Sequence, residues 1–334
     1  MQNYDIIAIG DIVTDAFIRL TDAEATCDID HENCKLCVRF GDKVPYESVE
    51  VIKAVGNSAN AAVSGSRLGL STALIASIGN DQNGKDCLEE LAKNKVGIEF
   101  IKTSSEFPTN YHYVLWYGVE RTILVKHAPF PYSLPDIGSP KWIYLSSMGE
   151  NSVAYHDEIA TYLEAHPEIK LAFQPGTFQM KLGYDKLKRI YMRSDIFFCN
   201  VEEAERILAT KTDTSLSREQ NIVKFMHMLH ALGPKIVVVT DGIDGAYAFD
   251  GTNAYFMPVY PHEPVERTGA GDAFASTIVA MLAKDKTLEE ALRYAPINSM
   301  SVVQQVGAQK GLLTEIEIEE FLSKAPSDYQ IKKL

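Results

Sequence analysis

A chain of 334 residues with 32 Lys+Arg against 45 Asp+Glu carries a formal net charge of −13 at pH 7. Its 46% hydrophobic and 23% charged content is that of a folded globular protein, not a disordered or fibrous one. The acidity excludes nucleic acid and anionic membranes as main partners, but leaves open one small anion held by backbone amides.

No run of about 18 apolar residues is present, so no transmembrane helix is expected. The start, Met1-Gln2-Asn3-Tyr4-Asp5, lacks the basic and apolar regions of a signal peptide. Five cysteines are an odd number in a chain too long to need staples. A cytoplasmic protein with reduced thiols is the expectation.

In chain order, residues 5–10 form a short apolar run ending in Gly10, the pattern of a buried parallel strand. The same pattern returns at 73–78, 141–146, 169–173, 195–199 and 235–240. Between these runs, Asn57–Leu68, Asp81–Asn94, Glu202–Ala209 and Gln220–Leu232 read as helices. Strands alternating with helices predict βαβ units: one domain over 1–334, an α/β/α sandwich around a mainly parallel sheet. Two stretches break the rhythm. Residues 16–52 and 108–127 alternate apolar and polar positions and read as antiparallel strands, a small β-lid over a ligand site. The last third reads as helix over 271–283 and 287–305, with Thr287 as N-cap, and the polar tail from Lys324 reads as loose.

The sharpest local feature is Thr268-Gly269-Ala270-Gly271-Asp272 at the start of an apolar helix. Small residues admit close backbone approach, and the free N–H groups of a first helical turn point at an anion. A carboxylate in that turn, Asp272, can take a proton from an attacking hydroxyl. The alternative is a glycine-rich loop that only caps the helix.

This segment resembles the signature of the ribokinase family, also called the PfkB carbohydrate kinases, and further segments match in the family's order. They are Gly10-Asp11-Ile12-Val13-Thr14-Asp15, Gly56-Asn57-Ser58-Ala59-Asn60, Gly79-Asn80-Asp81-Gln82-Asn83-Gly84, Asn200-Val201-Glu202-Glu203 and Thr240-Asp241-Gly242-Ile243-Asp244-Gly245. The resemblance implies phosphoryl transfer from ATP to a hydroxymethyl group of a sugar or sugar-like substrate, or of a nucleoside. A reading of another class is a non-catalytic sugar- or nucleotide-binding regulator on the same fold.

Under the resemblance Asp272 is the catalytic base, and Gly269, Ala270 and Gly271 form the anion hole with it. Asp15, at the end of the first strand, grips substrate hydroxyls, with Gly56, Asn57 and Asn60 completing that floor. Thr240, Gly242 and Gly245 line the nucleotide, and Asn298 stands on the adenine side. Asn200 and Glu203, three apart on one helical face, organise Mg²⁺ and its waters. Relatives bind a monovalent cation (K⁺) near 266 and 302–307, and they dimerise through the lid. Val55, Glu266 and Arg267 depart from the family pattern, and Arg267 is placed either to lie against the ATP phosphates or to stand solvated.

Two features stand outside the resemblance. Cys27, His31, Cys34 and Cys37 have a spacing that zinc could use; the alternative is a lid hairpin with incidental cysteines. Tyr111, Tyr113 and Leu115 share one face of a strand, which suits lid or homodimer packing. Arg121 is placed either to reach a charged or polyol substrate or to stand as a rim charge.

Overall fold

The computed structural model describes residues 3–27 and 34–334. The chain starts with β1 (Ile6–Ile9), buried along its whole length. It then leaves the main layer for β2 (Val13–Leu20), the short hairpin β3 (Glu24–Thr26) and β4 (Lys35–Cys37), and the long β5 (Tyr46–Val55). Helix α1 (Asn57–Arg67) returns it to β6 (Thr72–Gly79), followed by α2 (Gln82–Lys93), β7 (Val96–Gly97) and β8 (Ile101–Ser104). Strands β9 (Asn110–Tyr117) and β10 (Glu120–Leu124) form a second excursion.

From β11 (Trp142–Leu145) a regular winding follows: α3 (Val153–Ala165), β12 (Lys170–Phe173), α4 (Thr177–Leu182), α5 (Tyr184–Arg193), β13 (Ile196–Asn200), α6 (Val201–Leu208), α7 (Arg218–His230) and β14 (Ile236–Thr240). An antiparallel pair, β15 (Ala246–Phe249) and β16 (Ala254–Met257), precedes α8 (Ala270–Ala283), α9 (Leu288–Val303), α10 (Glu315–Ser323) and β17 (Lys332–Lys333).

The main sheet has 11 strands in the order β17-β16-β15-β14-β13-β12-β11-β1-β6-β7, with β8 also on β6. Pairing is parallel from β14 to β7 and antiparallel from β14 to β17. Each central strand divides its side chains between two cores. Ile6 and Ala8 of β1 join a cluster with α1, α8 and α9, while Ile7 and Ile9 join one with α3, α5 and α7. Burying one such isoleucine contributes about 1.5–3 kcal/mol, which is why the short runs read correctly as strands covered on both faces. The fold class is α/β with a large, mainly parallel central sheet.

The excursions form a separate four-stranded sheet, β10-β9-β2-β5. It starts at Val13, earlier than the expected 16, and β2 pairs in parallel with β9. Asp15 therefore belongs to this lid sheet, not to the end of the first main strand, which stops at Ile9. The row Leu124–Tyr113–Ala16–Val51 crosses all four strands on the outer face. The adjacent row carries His112 opposite Asp15 on the inner face, because side chains alternate along each strand. Asn110, His112, Val114 and Trp116 are accordingly buried, and Tyr113 is exposed.

Three further expectations are corrected. The tail is anchored: β17 pairs β16, and Tyr329 is buried with its hydroxyl donating to Arg293 O at 2.7 Å. Cys27 and Cys34 are joined in a disulfide, so two of the four proposed zinc ligands are spent on each other and the thiols are not all reduced. The flanks of the β3–β4 hairpin bring their Cα atoms within 4.0 Å. Cys37 is free and exposed, and His31 lies outside the described residues. Among the described residues no helix is long and apolar enough to cross a membrane.

Candidate active site

The loop before α8 is shaped by one glycine. Gly269 takes φ +82° as the N-cap, and a Cβ there would stand 2.4 Å from the Cβ of Ala308. The first helical bond runs from Ala273 N to Gly269 O at 2.8 Å. The N–H groups of Ala270, Gly271 and Asp272 therefore lie outside the α8 ladder, where the helix dipole favours an anion. Gly56 does similar work at the start of α1. Its φ is +109°, and a Cβ would meet Asp11 O at 2.6 Å.

Asp272 is 9% exposed and accepts three side-chain hydrogen bonds. Asn57 Nδ2 donates to Oδ1 at 2.8 Å, Gln174 Nε2 to Oδ1 at 3.2 Å, and Asn60 Nδ2 to Oδ2 at 2.7 Å. Asn60 is oriented in turn by Gln309, whose Nε2 donates to Asn60 Oδ1 at 2.9 Å and to Ala54 O at 2.7 Å. Burial pushes the Asp272 carboxyl above its ordinary range; the amides of Asn60, Asn57 and Gln174 and the charge of Arg121 oppose that push. A carboxylate poised in this way is a better proton acceptor than an exposed aspartate.

A cavity of about 620 Å³ joins the lid to this loop. Asp15, Gly56, Asn57, Asn60, Asn200, Glu203, Thr240, Gly269, Gly271 and Asp272 all line it, so the structure gathers those sequence-stretched candidates in one place. Asp15 is 7% exposed and its Oδ1 has no hydrogen-bond partner. His112, which faces it at 3.4 Å through Nδ1, also has an unpartnered, buried Nε2. Buried polar atoms without hydrogen-bond partners cost stability, and both of these belong to residues that line the cavity.

A second cavity, mostly apolar, opens on the other side of Ala270 and Gly271. Thr240, Gly242 and Gly245 line it with Met257, Val259, Phe274, Met300 and Val303. It shares Thr240, Arg267, Gly271 and Phe274 with the first cavity, so the helix N-terminus lies between a polar chamber and an apolar one.

Two candidates sit differently from expectation. Asn298 is fully buried and spent internally: it donates to Thr277 Oγ1 at 2.8 Å and accepts from Leu313 N at 2.9 Å. Its neighbours Ser299 and Met300 face the apolar cavity instead, one helical step round α9. Asn200 and Glu203 form a capping box on α6 rather than a shared open face. Asn200 Oδ1 accepts from Glu203 N at 2.8 Å, and Glu203 Oε2 accepts from Asn200 N at 2.9 Å. Glu203 Oε1 is left for the cavity, and burial raises that carboxyl, with the Asn200 N–H opposing.

Sequence reasoning missed His112, His127, Gln174, Phe178 and Lys181 of the polar cavity. Gln174 had a usable signal: it directly follows the buried run 171–173, and ligands gather beyond the carboxyl ends of such strands. His127 is held by Asp11, which also accepts from Tyr132 Oη at 2.9 Å. No local pattern announces that pairing, since Asp11 and His127 are 116 residues apart.

A family profile described as the pfkB family of carbohydrate kinases matches residues 23–315. The chain belongs to this family. It is 28% identical over 295 residues to a ribokinase of Bacillus subtilis, covering 85% of this chain and 92% of that one. It is 25% identical over 335 residues to an ATP-dependent 6-phosphofructokinase of Thermoanaerobacterium thermosaccharolyticum, covering 92% and 90%. A solved ribokinase of Arabidopsis thaliana, complexed with ribose and ATP, superposes with a TM-score of 0.77 at 20% identity, covering 96% and 99%. The protein is a carbohydrate kinase of ribokinase fold.

Proposed function

We propose that this kinase transfers the terminal phosphoryl group of ATP to an alcohol group of a sugar, with Asp272 as the base. The observation that carries the reading is Asp272 itself: a buried carboxylate in the first turn of α8, lining a cavity that is also lined by Asp15, whose Oδ1 has no hydrogen-bond partner. Asp15 would accept substrate hydroxyl protons, Asn60 and Asn57 would keep Asp272 ionised and aimed, and the N–H groups of Ala270, Gly271 and Asp272 would hold phosphoryl oxygens. The apolar cavity along Met257, Val259 and Met300 would take the nucleotide base.

Magnesium, when bound, would bridge phosphate oxygens and offset their charge. Glu203 Oε1 is the group that would hold it, through water, since among the described residues no three acidic, His or Cys side chains form a metal cluster. For a monovalent cation the fitting residue is Glu266, fully buried with Oε2 unpartnered beside the 302–307 loop. A homodimer through the lid is supported by its outer face, where Val49, Val51, Tyr113 and Leu124 are all 45–52% exposed. Use of ATP suits the cytoplasm.

Coupled ADP release with a panel of sugars, sugar phosphates and nucleosides tests this reading. A folded enzyme that binds ATP while none of them stimulates release would sink it and favour a binding regulator. Preference for adenosine or cytidine over every sugar would shift it to a nucleoside kinase.

A further inference from the structure

Three Lys or Arg side chains line the polar cavity among the described residues: Arg121, Lys181 and Arg267. Arg267 Nη1 donates to Glu120 Oε1 at 2.8 Å. Lys181 is exposed, with its Nζ 5.2 Å from the Phe178 ring centroid. Arg121 differs. It donates no hydrogen bond to any described residue, and its Nε is buried without a hydrogen-bond partner. It forms an ion pair with the buried Glu266, Nε to Oε1 at 3.6 Å, which is too long for a hydrogen bond. That oxygen already accepts from Thr268 N at 2.7 Å and Thr268 Oγ1 at 2.6 Å.

The position of Arg121 along the lid is informative. On β10 it pairs with Trp116, four residues along β9 from the His112 that faces Asp15. The guanidinium is thus displaced from the Asp15 floor and stands beside the segment leading into Gly269–Asp272. The adjacent pair Glu120–Arg267 ties the tip of the lid to this same segment. The charge of Arg121 also reaches the Asp272 carboxyl.

We propose that Arg121 is a catalytic residue carried by the lid, whose guanidinium contacts the phosphoryl group in transfer beside the α8 N-terminus. The inference rests on the phosphotransferase reading above. In the step, the acceptor oxygen bonds to the γ-phosphorus as the bond from that phosphorus to the bridging oxygen breaks. The acceptor's proton passes to Asp272, and ADP leaves with the electron pair. Arg121 makes and breaks no covalent bond. Its planar fork of N–H donors matches the equatorial oxygens, where charge is spread in the transition state. Because the donor arrives on the lid, full charge stabilisation would require closure, and open enzyme would waste less ATP.

The test compares kcat and KM of wild type, Arg121→Gln, Arg121→Lys and Glu120→Gln, with circular dichroism melts to establish folding. Arg121→Gln should lower kcat on the order of 10²-fold, the usual loss for one transition-state donor, with KM for ATP and acceptor changed less than about threefold. Arg121→Lys should recover part of kcat. Glu120→Gln, which loosens the lid tip but keeps the guanidinium, should leave kcat within about threefold. If Arg121→Gln raises the acceptor KM with kcat intact, Arg121 reads the acceptor and the proposal is overturned. Equal losses in Arg121→Gln and Glu120→Gln would make Arg121 a latch only, and also overturn it. Absence of any wild-type turnover would instead defeat the phosphotransferase reading, and this inference with it.

Discussion

Replacing Asp272 by Asn removes the proposed base while keeping the side chain's size. General-base assistance is worth about 10²–10⁴ in rate, or about 2.7–5.5 kcal/mol at 1.36 kcal/mol per decade. The structure adds a second effect. Both carboxylate oxygens of Asp272 accept N–H bonds, from Asn57, Gln174 and Asn60. An amide at 272 offers one oxygen and one NH₂, so one donor must face another. Asn60 cannot simply turn over, because its Oδ1 is held by Gln309 at 2.9 Å. That mismatch costs about 1–3 kcal/mol of stability, offset in part by removing a buried charge. Linkage gives the sign of the pH effect. The folded carboxyl is raised by burial, so the unfolded chain releases this proton first, and stability falls as pH rises through the raised value. Asp272→Asn should flatten that part of the stability profile. Initial rates of ADP release, ATP calorimetry and thermal melts across pH measure all three. A variant that binds ATP normally and keeps kcat within about tenfold of wild type would refute the assignment of Asp272 as base.

Further expectations concern single features of the site. The kcat/KM of wild type should fall on the acid side as Asp272 protonates, with a midpoint above the ordinary carboxylate value of 3.8; a midpoint at or below it would remove burial as the cause. Gly269→Ala should lose about 1–2 kcal/mol from the left-handed backbone alone, with more from the Ala308 contact, and a melt unchanged from wild type would contradict this. Val259→Glu should raise the KM for ATP by about tenfold or more, reflecting a carboxylate forced against an apolar chamber, while the acceptor KM holds. Val51→Lys on the outer lid face should shift the sedimentation coefficient from dimer to monomer; a wild type already monomeric at micromolar concentration would exclude the lid dimer.

The features readable in the sequence were local ones. The strands of the main sheet show as apolar runs because helices cover both of their faces. The loop before α8 shows because one positive-φ glycine, Gly269, stands directly at a helix start. Asp15 reads as the end of the first strand, because Gly10 marks where that strand's apolar run stops but nothing local says that the next strand joins another sheet. The lid strands showed as alternation, but alternation does not say which parity faces the ligand. Tyr113 lies on the outer face, in keeping with a packing role, and His112 of the other parity faces the cavity.

Long-range partnerships escaped entirely. Asn57, Asn60 and Gln174 meet Asp272 across 98 to 215 residues of chain. Arg121 meets Glu266 only because β10 folds over that segment, and Cys27 pairs with Cys34 only because a hairpin closes. The sequence by itself determined the layer architecture, the family and the glycine-bearing turn that starts α8. Those depend on periodicity and on backbone conformations that few residues can adopt. The tertiary structure decided which groups surround Asp272, how far burial shifts it, and which atoms stay unpaired. Desolvation and hydrogen bonding depend on everything packed around a group, and no local pattern records that.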